Sequence, residues 1–105
     1  MSKQSLLELW RKRYGDADEA QDYAGRIMKI SARHDPNSSF QPTLDHIKPT
    51  SSGGKDTEGN IEICNRVTNA EKGDIFPVWK ANKKLFCAKK VKGAPKGTAY
   101  TIEEV

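Results

Sequence analysis

Residues 40–79 read FQPTLDHIKPTSSGGKDTEGNIEICNRVTNAEKGDIFPVW, and this stretch decides the fold. Phe40–Lys48 has an extended character, with Pro42 near its start and Pro49 at its end. From Pro49 to Gly59 the chain is polar and carries Gly53-Gly54 and Gly59, residues that tolerate positive φ, so a long loop is expected. Ile61–Cys64 is a short strand that can bury Ile61 and Ile63 on one face. Asn65 is a suitable helix N-cap and Gly73 a suitable residue just past a helix end, which predicts a two-turn helix over Arg66–Lys72. So short a helix must pack to persist, and Val67 and Ala70 are its apolar candidates. The order is strand, long loop, strand, short helix.

Within this unit stand Asp45-His46-Ile47-Lys48-Pro49, then Gly53-Gly54, Asn60 and Asn69, with Lys72-Gly73-Asp74 closing the set. Together they resemble the HNH nuclease family, whose pattern is a DHI-x-P start, a GG loop, a central Asn, and a final Asn or His followed three residues later by Lys. The likeness runs from Phe40 to Trp79 and includes Thr68-Asn69-Ala70-Glu71-Lys72 and Phe76-Pro77, as in bacterial and phage members. A motif of this kind is a hypothesis whose support is its structural context. The resemblance implies an α+β fold: a ββα-metal finger with an N-terminal helix and a C-terminal β-hairpin. It also implies a metal-dependent endonuclease acting on DNA, with RNA left open. Asp45 and Asn69 are then expected to hold a divalent metal, His46 to activate water, and Asn60 to fix the His46 loop by a side-chain bond to backbone.

The chemistry of these residue types agrees. Phosphodiester hydrolysis needs an activated water, stabilised charge on the phosphorane, and help for the departing 3′ oxygen. Histidine, with an ordinary pKa of about 6.5, can be a neutral base near physiological pH. The oxygens of Asp45 and Asn69 suit Mg²⁺, with Mn²⁺ as the alternative. No CxxC pair flanks the motif, so structural zinc is not expected. Each residue also has a plainer reading: a structural His46, an Asp45 that only orients it, an Asn60 that ends a loop. Asn69 is harder to explain that way, because Asn is a poor mid-helix residue. By three-residue spacing it shares a helix face with Arg66 and Lys72, a stripe that suits phosphate. One tension stands: neighbours on a regular strand point to opposite faces, so Asp45 and His46 can line one site only if the strand bends or ends there.

Upstream, Ser5 can cap a helix running to Tyr14, in which Leu6, Leu7, Trp10 and Tyr14 recur at spacings of three and four, with Gly15 as its stop. The acidic Asp16–Tyr23 suggests a second short helix, Gly25–Ala32 a strand, and Asp35–Ser39 a turn. Downstream, Val78–Lys80 and Leu85–Val91 flank a hairpin turn over residues 81–84, and Ala99–Ile102 adds an edge strand. Trp10 and Trp79 are the expected anchors of packing.

The chain has 105 residues, enough for one domain, and only 35% are apolar, enough for a small core. Its net charge of +4 is unevenly spread: residues 75–105 carry seven lysines against two glutamates, net +5, while residues 25–74 are neutral. The surplus thus flanks the motif, and Lys80, Lys83, Lys84, Lys89 and Lys90, with Lys48, Arg66 and Lys72, are the candidate phosphate contacts. A solvated lysine-rich face is the bland alternative. No apolar run of about 18 residues occurs, and the opening residues lack a signal-peptide stretch, so no membrane partner and a cytoplasmic location are expected. Cys64 and Cys87 read as reduced thiols. Two rivals use the same residues differently: a non-catalytic nucleic-acid binder on this scaffold, and a phage or plasmid factor docking on a larger protein. For an enzyme this small, a larger partner that supplies specificity is also an expectation.

Overall fold

The computed structural model describes residues 5–105. Ser5 Oγ accepts the Glu8 N–H at 3.3 Å and so caps helix α1 (Leu6–Tyr14); Gly15, at φ +63°, ends it. One side of α1 buries Leu9 and Trp10 against Met28, Ile61 and Ile63. The Trp10 indole N–H keeps a partner there, the Ala17 carbonyl at 2.8 Å.

Residues 16–23 depart from the expected helix. Strands β1 (Glu19–Gln21) and β2 (Ile27–Lys29) form an antiparallel hairpin, with Ala20 opposite Met28. The acidic side chains there bond to turn backbone, which competes with helix formation. Asp22 Oδ1 accepts the N–H groups of Ala24 and Arg26, both at 2.9 Å, and Asp18 accepts the N–H and hydroxyl of Ser31. The strand expected over residues 25–32 is shorter, giving way to a 3-10 turn at Ile30–Ala32.

Strands β3 (Pro42–His46) and β4 (Ile61–Asn65) pair antiparallel from Pro42↔Asn65 to His46↔Ile61, with residues 47–60 as the loop between them. Asn65 passes the chain into helix α2 (Arg66–Lys72). Its Oδ1 accepts the Val67 N–H at 2.8 Å, while its Nδ2 donates to the carbonyls of Ile27 and Ser39. The packed face of α2 differs from the expected one. Thr68 and Lys72, four residues apart, are buried, and Ala70 is exposed.

A three-stranded sheet follows, in the order β5 (Val78–Ala81), β6 (Lys84–Lys90), β7 (Tyr100–Glu104). Asn82 and Lys83 turn β5 into β6 with φ of +50° and +65°, the conformation of a type I′ hairpin. The inner face of this sheet buries Trp79, Ala81, Phe86 and Ala88 with Ala24 and Ile47. Trp10 and Trp79 therefore anchor separate apolar clusters. The architecture is a mixed α/β domain of two α-helices and small antiparallel sheets. No described helix is long and apolar enough to cross a membrane.

Candidate functional site

The end of β3 and the outer side of α2 border an open cleft of about 150 Å³, lined by Asp45, His46, Thr50, Asn69 and Asp74 among others. The ladder of β3 stays regular through His46, and the strand ends there; the Ile47 N–H then bonds to the Asn60 carbonyl at 2.8 Å. Asp45 and His46 both border the cleft, but their side chains engage different partners. Asp45 Oδ2 lies 3.4 Å from Lys72 Nζ, and His46 Nε2 lies 3.0 Å from Asp56 Oδ1.

Burial pushes the Asp45 carboxyl above its ordinary range, against the pull of Lys72 and of His46; Asp74 adds to the rise. Lys72 is fully buried. Its ammonium, besides facing Asp45, donates to the His46 carbonyl at 3.3 Å and lies 5.1 Å from the centre of the Trp79 ring. The expected phosphate-facing role of Lys72 is therefore corrected: its charge is spent inside the protein, tying α2 to β3. Arg66 is half-buried, and its Nε has no hydrogen-bond partner among the described residues.

Asn60 is fully buried and clamps the loop. Its Oδ1 accepts the Lys48 N–H at 2.8 Å, and its Nδ2 donates to the carbonyls of Lys48 and Lys55 at 3.1 and 2.9 Å. With no exposed surface, its side chain serves to hold the backbone of the loop. Asn69 is half-buried on α2, its Nδ2 directed to Thr43 Oγ1 at 3.0 Å and to the Leu44 carbonyl at 3.5 Å. That orientation commits the amide nitrogen to protein and leaves Oδ1 as the other arm.

The C-terminal lysines do not make one patch with the cleft. Side chains alternate along β5 and β6, so Lys80 and Lys89 emerge with Val78 and Leu85 on the outer face, away from Trp79. Lys89 faces Glu103 at 3.8 Å. Lys84 lies on the opposite side, near Gly25, and Lys83 sits in the turn. Lys48, beside the site, directs its ammonium over the Phe76 ring at 5.8 Å.

No family model, curated protein or solved structure matches this chain. The site's chemistry therefore rests on its own geometry. Among the described residues, no three His, Cys, Asp or Glu side chains are grouped to hold a metal ion. The polar residues that line the cleft are Asp45, His46, Thr50, Asn69 and Asp74, and the His46 ring reaches Asp56, which lies outside that lining. Cys64 and Cys87 are both free; burial pushes the Cys64 thiol well up, which removes it as a nucleophile.

Two residues of the site went unassigned in the sequence. Asp56 meets His46 from ten positions away in a polar loop, and nothing local distinguishes it from the other loop residues. Asp74 closes the motif and lines the cleft, and its place directly after the Gly73 helix stop was the available signal.

Proposed function

We propose that this chain is a metal-dependent HNH endonuclease that hydrolyses DNA phosphodiester bonds, its ββα-metal finger formed by β3, the 47–60 loop, β4 and α2. The observation that carries this reading is the meeting of His46, Asp45 and Asn69 on one open cleft between β3 and α2. An imidazole beside hard oxygen donors is the set that water activation next to a phosphate requires.

The residues fit a divalent cation of the Mg²⁺ type, with Mn²⁺ as the alternative. Mg²⁺ keeps several waters and needs only one or two protein oxygens besides substrate phosphate. Asp45 offers a carboxylate with only one oxygen facing Lys72, and Asn69 offers Oδ1, its amide nitrogen being held by Thr43 and Leu44. Asp45 and Asn69 would hold the ion, which when bound supplies charge stabilisation to the phosphorane and the leaving oxygen. His46 takes the proton of the attacking water. Lys72 opposes the effect of burial on the Asp45 carboxyl and joins the two elements that carry the site. Asn60 holds the backbone that follows His46. Arg66, Lys48 and the exposed lysines Lys80, Lys83 and Lys84 remain candidates for sequence-independent DNA contact, from more than one face.

Supercoiled plasmid tests this directly. Incubation with Mg²⁺ is expected to give nicked or linear product, and chelator to stop it. His46→Ala is expected to lose at least about 100-fold in rate while DNA retention is unchanged. Equal turnover by that variant, or cleavage indifferent to chelator, refutes the assignment.

A further inference from the structure

Asp56 is a carboxylate to which the endonuclease reading gives no task. Its Oδ1 lies 3.0 Å from His46 Nε2, both side chains being partly shielded. An ionised carboxylate only accepts hydrogen bonds, so the proton of a neutral His46 belongs on Nε2 and the lone pair on Nδ1. Among the described residues Nδ1 has no partner.

The backbone around Asp56 is held from both sides. The Lys55 N–H donates to the Gly97 carbonyl at 2.9 Å, and the Lys55 carbonyl accepts from Asn60 Nδ2 at 2.9 Å. Thr57 Oγ1 donates to the Thr98 carbonyl at 2.6 Å. The two segments are packed too closely for larger residues. A Cβ on Gly97 would fall 2.7 Å from the Gly53 carbonyl oxygen, and one on Gly59 would fall 2.7 Å from the Ala99 Cβ. Residues 97–99 thus brace the loop that presents Asp56, and Asn60 braces it from within.

We propose that Asp56 is the positioning residue for His46, holding the imidazole in the Nε2–H tautomer so that Nδ1 is the basic nitrogen. The proposal rests on the endonuclease reading of the cleft. The attacking water gives its proton to Nδ1 as its oxygen bonds to phosphorus. The bond from phosphorus to the 3′ oxygen breaks, that oxygen takes a proton from solvent, and Nδ1 later returns its proton to solvent. Asp56 keeps accepting from Nε2–H throughout and so stabilises the doubly protonated ring that forms in between.

The chain has two histidines, so ring ¹⁵N spectra of the full-length protein resolve His46 once His34→Gln identifies the other. In the alkaline range where its ring ¹⁵N shifts no longer change with pH, the wild-type spectrum is expected to show His46 protonated on Nε2 alone. Asp56→Ala is expected to move both ring nitrogens toward the average of the two tautomers, with backbone amides outside residues 47–60 unchanged. In plasmid cleavage it is expected to lower kcat about 10- to 100-fold with KM for DNA little changed, as for other outer partners of functional histidines. Asp56→Asn, whose amide oxygen still accepts, is expected to recover part of both. A proton on Nδ1 in the wild type, or an unchanged tautomer in Asp56→Ala, overturns the proposal. Wild-type protein that cuts no plasmid yet keeps the Nε2–H tautomer, lost in Asp56→Ala, overturns the endonuclease reading and supports the pairing.

Discussion

Asn60→Ala removes the clamp of the 47–60 loop, and its cost follows from the hydrogen bonds at stake. The side chain is fully buried and makes three bonds to backbone, one accepted from the Lys48 N–H and two donated to the carbonyls of Lys48 and Lys55. A buried group left without a partner costs about 1–3 kcal/mol, with N–H groups tolerating the loss less well than carbonyls. Charging the stranded N–H near the middle of that range and each carbonyl near its lower end gives about 3–5 kcal/mol. Domains of this size have about 5–15 kcal/mol in all, and each kcal/mol moves Tm by about 4–8 °C. Thermal unfolding followed by circular dichroism is therefore expected to show Tm lower by roughly 12–40 °C. Asn60→Asp adds a second arm. It keeps the acceptor for Lys48 but, when ionised, sets a buried charge against two carbonyls. Its folded-state pKa must then lie above its unfolded value, so the variant is most stable in acid and weakens as pH rises through the folded pKa. An Asn60→Ala protein within 1 kcal/mol of wild type, or an Asn60→Asp protein of wild-type stability at neutral pH, refutes the clamp.

Lys72→Met is expected to destabilise by about 3–5 kcal/mol because it strands the half-buried Asp45 carboxylate. The double variant Lys72→Met/Asp45→Asn is expected to recover more than half of that loss in urea titrations, and strict additivity of the two changes speaks against the pair. Gly54→Ala is expected to cost more than about 2 kcal/mol, since its Cβ would fall 1.7 Å from the Lys48 carbonyl oxygen, a backbone atom that side-chain repacking cannot move aside. The Glu71 carboxyl is held below its ordinary range by Arg26 and by the Asn82 N–H. Its contribution is present above the unfolded pKa and lost as pH falls through the folded one. With Glu71 well exposed, Glu71→Gln is expected to cost under about 1 kcal/mol at neutral pH and to flatten the acid limb of the stability profile. An acid limb as steep as in wild type refutes that role.

Local signals were legible in the sequence wherever a residue acts on backbone within a few positions. The ends of α1 and α2 lie where Ser5, Gly15, Asn65 and Gly73 put them, because capping bonds close over two to four residues. The same kind of signal misled at residues 16–23, where Asp18 and Asp22 look like residues of a helical turn. They instead bond the backbone of a hairpin, and Asp22 also takes the Asn65 N–H at 3.0 Å, a bond no local window contains. The division of the lysines is legible in the sequence: period two along β6 puts Lys84 and Lys89, five residues apart, on opposite faces.

The sequence by itself determined the order of strand, loop, strand and helix, the caps, and the grouping of Asp45, His46 and Asn69 in one short unit. Only tertiary structure decided which of their groups are free. Lys72 looks like part of an exposed basic stripe until β5 brings Trp79 over it and β3 brings Asp45 beside it. Asp56 looks like any polar loop residue until Asn60 within the loop, and Gly97 and Thr98 from the far end of the chain, fold it onto His46. Caps and turns are closed by bonds between near neighbours. Burial of a charge and orientation of a ring are set by whatever distant segment excludes the water around them.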